Sequence, residues 1–138
     1  MLEDNFDKNF KIWIPHEDVD EVYDMEEVGF KRSEGFVVLL VPDHFEKDRC
    51  SEYNAKLVWD DVLSYMVTEE GYRPELWGNE RKTDEIWTFY ISKSSDYLNK
   101  FREKNYIVPE KTYHFFICGT NYMIDILSTE YPKVTFVK

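Results

Sequence analysis

The sequence predicts an α/β (or α+β) fold, with a single domain built on one mixed sheet of about five strands and helices packed on its faces. Three observations carry that expectation. Two segments, Glu85–Ile91 and Thr112–Cys118, are apolar on both faces. Side chains of a strand point alternately to opposite sides, so a strand apolar on both belongs inside a sheet covered on both sides. Between the two lies an amphipathic stretch, Ser94–Lys104, with Tyr97, Leu98 and Phe101 as its buried stripe. The chain as a whole then alternates strand-like and helix-like segments, the pattern of an α/β layer architecture.

From the start of the chain, Phe10–Ile14 reads as a strand, with Phe10, Ile12 and Ile14 opposing Lys11 and Trp13. Such a half-polar pattern suits a position at or near a sheet edge, and Pro15 closes it. His16–Glu27 reads as a helix with Val19, Val22 and Tyr23 inward. Gly29 and Gly35 mark turns around residues 30–34. Phe36–Val41 is another strand apolar on both faces, ended by Pro42, and Asp43–Tyr53 is polar enough for a loop. Asn54–Glu70 is the clearest helix. Asn54 caps it, Val58, Trp59, Val62, Leu63, Met66 and Val67 recur at helical spacing, and Gly71 stops it. Tyr72–Asp84 is irregular, with Pro74 and Gly78.

In the central unit Ser94 is the expected N-cap, its hydroxyl accepting from an orphan N–H of the first turn. Lys100, Arg102 and Lys104 sit where positive charge complements the helix dipole. The link is long enough for a right-handed crossover between parallel strands, although a helix also joins antiparallel ones. Asn121–Ser128 reads as a short helix packing Tyr122, Met123, Ile126 and Leu127, and Val134–Val137 as a terminal strand.

With 138 residues the chain fits one domain and buries enough surface to need no staple. Its net charge of −11 comes from 28 acids against 17 bases. Residues 1–30 hold ten acids and two bases, a net of −8, which leaves −3 for the rest. Such a field repels nucleic acid and anionic membranes and draws in basic proteins. Cys50 and Cys118 form no CxxC motif and no disulfide framework, as expected in a reducing compartment. The acidic N-terminus lacks the basic start of a signal peptide, and the longest apolar run, Phe36–Val41, is too short to span a bilayer. The expected location is cytoplasmic.

The first candidate site is the acidic stretch. On a helix, Glu17, Asp20, Glu21, Asp24 and Glu27 share one face. Like charges on one face repel, which suits a docking surface whose partner is basic, with Trp13 or Tyr23 as an aromatic anchor. Against this stands the ordinary alternative of a solvated face near a helix start, where acids are favoured anyway. Asp18, Asp20 and Glu21 do not make a calcium loop, because Val19 and Val22 intervene and no Gly follows at the required offset. His16, His44 and His114 fall in no zinc pattern, so no metal and no cofactor is expected.

Cys118 ends a strand and precedes Gly119, a place where α/β proteins put active sites. His114 lies on the same face, but four strand residues span roughly 13 Å, too far for a thiol–imidazole bond of about 3 Å. A buried core cysteine is the better reading. Gly119-Thr120-Asn121 leads into the expected helix, whose N–H groups could hold an anion. Tyr72–Lys82, with Arg73, Arg81 and Lys82 beside Tyr72 and Trp77, has the makings of a functional loop or a stacking surface, although Glu75 and Glu80 dilute it.

The expected function is therefore an acidic, non-enzymatic binding protein that neutralises or regulates a basic partner. An antitoxin or immunity-type inhibitor of a nuclease-like toxin fits best, since a site that holds phosphate is itself basic. The alternatives are a ligand-binding or enzymatic domain with its site at Cys118–Asn121, and a structural subunit of an oligomer.

Overall fold

The computed structural model describes residues 9–43, 52–69, 71 and 87–138. Along them run β1 (Lys11–Ile12), β2 (Tyr23–Lys31), β3 (Gly35–Pro42), β4 (Asn54–Trp59), β5 (Ser64–Glu69), β6 (Phe89–Ser92), α1 (Asp96–Lys104), β7 (Tyr113–Cys118), β8 (Tyr122–Ser128) and β9 (Lys133–Val137). The strands form two sheets, β1-β6-β7-β8-β5 and β2-β3-β4-β9, and every pairing is antiparallel. The expectation of one mixed sheet with helices on its faces is thus overturned. The protein is mostly β, with a single helix among the described residues.

The expected helix Asn54–Glu70 is two strands in different sheets. Ala55, Leu57 and Trp59 are fully buried while Asn54, Lys56 and Val58 are half-exposed, a clean period of two. The chain then turns at Asp60 and Asp61, whose backbone N–H groups both donate to Glu130 Oε1 (2.7 and 3.0 Å). The helical spacing arose because the end of one strand and the middle of the next lie about two helical turns apart. The expected helix Asn121–Ser128 is β8, buried on both faces from Met123 onward. A run apolar throughout carries no alternation, so periodicity does not separate buried strand from buried helix. Nor is His16–Glu27 a helix, since residues 13–22 are mostly irregular and β2 begins at Tyr23. Finally, β6 and β7 are antiparallel, with Phe89 opposite Ile117, so α1 is not a parallel crossover.

The core lies between the sheets. Phe36, Val38 and Leu40 of β3 and Ala55, Leu57 and Trp59 of β4 meet Phe89, Phe115, Ile117, Ile124 and Ile126 of the other sheet. Trp59 and Phe115 pack edge-to-face with centroids 5.4 Å apart, an arrangement favoured by the ring quadrupoles. The hairpin from β2 to β3 closes at Gly35, whose φ of +114° excludes most side chains. A Cβ there would also sit 2.5 Å from the Trp59 carbonyl oxygen.

The helix covers the outer face of the first sheet. Its N-cap is Ser95, one residue beyond the expected Ser94, and Ser95 Oγ accepts from Leu98 N (3.1 Å). Leu98 is its buried residue. The division of β7 into two faces agrees with its sequence pattern. Tyr113, Phe115 and Ile117 enter the core between the sheets, while Phe116 and Cys118 pack on Met123 on the other side.

Candidate functional site

The acidic residues do not share a helical face. Glu17, Asp18 and Glu21 are exposed on the irregular segment before β2, and Glu26 and Glu27 are exposed on β2 itself. Seven of the eleven residues from Glu17 to Glu27 are acids. Folding spreads them along one end of the sandwich and down a sheet edge, since among the described residues β2 pairs only with β3. The segment is fixed by its backbone. The Glu21 carbonyl accepts from Thr88 Oγ1 (2.9 Å), the Val22 carbonyl from Asp43 N (3.0 Å) and the Tyr23 carbonyl from Thr120 N (3.0 Å).

Not every predicted site residue is exposed. Asp20 is half-buried. The Asp24 carboxylate accepts from Met25 N and from Asn121 Nδ2, both at 2.8 Å, so it joins β2 to the β7–β8 turn. Tyr23 is fully buried and its hydroxyl accepts from Asp20 N (2.8 Å). That burial pushes its pKa up to about 12. Trp13 is half-buried against Phe89 and Phe115, and its carbonyl accepts from Trp87 Nε1 (2.9 Å). Glu27 pairs with Lys31 at 2.5 Å and raises the lysine's pKa.

The exposed aromatic and apolar groups lie elsewhere. β5 is the other edge of interest, bonded among the described residues only to β8, and it exposes Tyr65 (43%), Met66 (42%) and Val67 (38%). Tyr65 packs on Phe36 (4.7 Å between centroids) and on Phe30 (5.9 Å), and Phe30 near the end of β2 is 62% exposed. The acidic edge and the apolar edge therefore meet at Phe30 and Tyr65. Reading residues 54–70 as a helix hid this, because on a helix Met66 and Val67 belong to the buried stripe.

The turn Cys118–Asn121 is not a strand-to-helix corner but the hairpin joining β7 to β8. Gly119 N donates to the Tyr122 carbonyl (2.9 Å), and a Cβ on Gly119 would lie 2.8 Å from that oxygen. Thr120 Oγ1 donates to Asp43 Oδ2 (2.8 Å), while Asn121 reaches Asp24. Its polar side chains are held by the protein's own chain, and no helix N-terminus stands there to receive an anion.

A buried polar chain went unnoticed in the sequence. Ser95 Oγ lies 2.6 Å from His114 Nδ1, and His114 Nε2 lies 2.7 Å from Asp125 Oδ1. All three residues are buried. A carboxylate oxygen accepts, so the imidazole presents its Nε2–H to Asp125, while Ser95 Oγ, which also accepts from Leu98 N, bonds Nδ1 on the other side of the ring. The trio has the residue types of a nucleophilic triad but not its exposure. Here the serine is a helix cap in the interior, and the network ties α1 to β7 and β8. The available signal was a lone acid within Tyr-Met-Ile-Asp-Ile-Leu, since a charged group inside an apolar strand needs a buried partner.

Among the described residues no three His, Cys, Asp or Glu side chains gather as metal ligands, and no helix is long and apolar enough to cross a membrane. His44, Cys50 and the Tyr72–Lys82 segment lie outside the described residues. No protein-family model, curated protein or solved structure matches the chain.

Proposed function

We propose that this protein is a non-enzymatic binding domain of the cytoplasm that neutralises or regulates a basic protein, in the manner of an antitoxin or immunity-type inhibitor. The observation that carries the reading is the presentation of the acids. Seven fall between residues 17 and 27, and Glu17, Asp18, Glu21, Glu26 and Glu27 are exposed along one end and one edge of a rigid sandwich. Carboxylates held outward on a fixed backbone steer a cationic surface into one orientation, which raises the rate of encounter. A phosphate-handling enzyme offers such a surface. The enzymatic alternative loses support because the polar side chains of the Cys118–Asn121 turn are engaged within the protein.

The test is capture from native lysate at low salt, elution by a salt gradient, and comparison with a variant carrying Glu17→Lys, Glu21→Lys and Glu26→Lys. These three side chains are exposed, whereas Asp24 and Tyr23 are structural and stay unchanged. The natural chain is expected to retain a basic protein stoichiometrically and the variant to release it, with at least a tenfold loss of affinity. Equal retention by both chains removes the reading.

A further inference from the structure

We infer that β5 is a docking edge, and that it takes an extended segment of the partner as an added strand. The segment would be apolar or β-branched in its centre and basic at both ends. This rests on the functional reading for the sign of the partner's charge, but the pairing itself rests on β5 alone.

An unpaired sheet edge exposes a row of N–H and C=O groups, and proteins ordinarily blunt such edges with charge, proline, a bulge or a cover. β2 is blunted. It carries Asp24, Glu26, Glu27 and Lys31, and its register slips by one residue between Met25 and Glu27. Among the described residues β5 has none of these devices along Ser-Tyr-Met-Val-Thr, and its register with β8 runs unbroken from Ser64 opposite Leu127 to Glu69 opposite Tyr122. Its six residues give roughly 20 Å of regular edge at about 3.3 Å per residue.

Side chains on this edge set the chemistry of the occupant. Tyr65 and Val67 lie on the side of the sheet that meets Phe30, so alternate residues of an added strand would rest on an apolar surface there. Exposed Asp60 and Asp61 precede β5, and Glu69 closes it. A strand with cations at each end and apolar residues between them matches that order in either direction. A second copy of this chain is the poorer occupant, because two molecules of charge −11 repel. Recognition of this kind draws affinity from main-chain hydrogen bonds and selectivity from alternate side chains.

The probe is the labelled peptide Lys-Lys-Val-Thr-Val-Thr-Val-Lys-Lys, measured by fluorescence anisotropy at low salt. Two further versions carry backbone N-methyl groups, one on the valines and one on the threonines. A fourth replaces the lysines with glutamates. Successive N–H groups of a strand point to opposite edges, so strand addition predicts that only one methylated peptide loses affinity, by at least tenfold. The glutamate peptide should lose as much. Met66→Lys, at an exposed position, should weaken the natural peptide at least tenfold while leaving the melting temperature unchanged. Binding insensitive to both methylation patterns overturns the inference. So does sedimentation showing a dimer that excludes the peptide, which would give the edge to a second copy. If the peptide fails to bind while a basic protein is still retained through the acidic residues, the docking edge is wrong and the functional reading stands. If the peptide binds and no basic protein is retained, the edge stands and the functional reading falls.

Discussion

Two sheet edges of this protein run up to one contact, Phe30 against Tyr65, and they are built in opposite ways. β2 is charged, bulged and tied at its root to the β7–β8 turn through Tyr23 and Asp24. β5 is uncharged until Glu69, regular, and apolar where it is exposed. Among the described residues the same sandwich thus has one edge blunted against strand addition and one without charge or bulge until Glu69. The lesson is that the acids of β2 do two jobs at once. They blunt an edge against pairing, and on the function proposed above they also supply the field that would draw a cationic partner toward the neighbouring edge.

The comparison is broken most strongly from beneath β5. Its support, β8, is fastened from the far side by Asp125, which lies opposite Met66 in register and bonds His114. Asp125→Ala leaves a buried imidazole N–H unpaired and is expected to cost about 3 kcal/mol of stability in denaturant unfolding. Hydrogen exchange should show β5 amides deprotected before those of β2. Equal deprotection of both edges would mean that the network does not support β5 in particular.

Next in size is the helix cap. Ser95→Ala removes the acceptor for Leu98 N and the hydroxyl bonded to His114 Nδ1, at about 1–2 kcal/mol. Its effect should be read in α1 and β5 and leave β2 unchanged. The junction itself is sharpened by a double-mutant cycle. Phe30→Ala and Tyr65→Ala are expected to couple by about 0.5–1 kcal/mol in unfolding, the size of an aromatic pair. Additive losses would mean that the two edges touch without sharing energy.

Alkaline pH separates the edges by titration. Burial raises the Tyr23 pKa in the folded protein above its ordinary value near 10, to about 12. Its contribution is complete below pH 10 and is lost as the pH climbs from 10 towards 12, because the unfolded chain releases that proton first. Tyr97 and Tyr131 are raised by burial as well, so the test is the difference made by Tyr23→Phe. The variant should unfold less steeply over that window, and an unchanged slope refutes the assignment. Smallest of all is Glu27→Gln. Its partner Lys31 is well exposed and solvent screens the pair, so the denaturant midpoint should barely move although the contact is short.

How much of this was legible in the sequence follows from which signals survive folding. β3 and β7 were readable because apolar runs between Gly and Pro, or between polar segments, admit little else. The helix expected at Ser94–Lys104 was readable because its stripe and terminal charges agree, and the structure moves only its cap, from Ser94 to Ser95. The strands β4 and β5 were misread together, since Val58, Trp59, Met66 and Val67 imitate a helix only when the turn at Asp60-Asp61 is ignored. That turn is held by Glu130, about seventy residues away in sequence, so no local pattern announces it. The acidic stretch was legible as charge but not as shape. A spacing of three and four is also what an irregular segment running into a strand can produce.

The amino-acid order alone determined the charge, its concentration near the start of the chain, the helix α1 and the faces of β7. Those depend on local steric preference and composition, and no distant contact alters them. Tertiary structure decided that two sheets replace one, that Tyr23 is interior and Trp13 half-buried, that His114 meets Asp125, and that exposed apolar side chains line β5 rather than the acidic stretch. Each of these depends on which distant strands pair. Pairing is set by the collective burial of both faces of the sandwich, a free energy that belongs to the assembled layers and to no single segment.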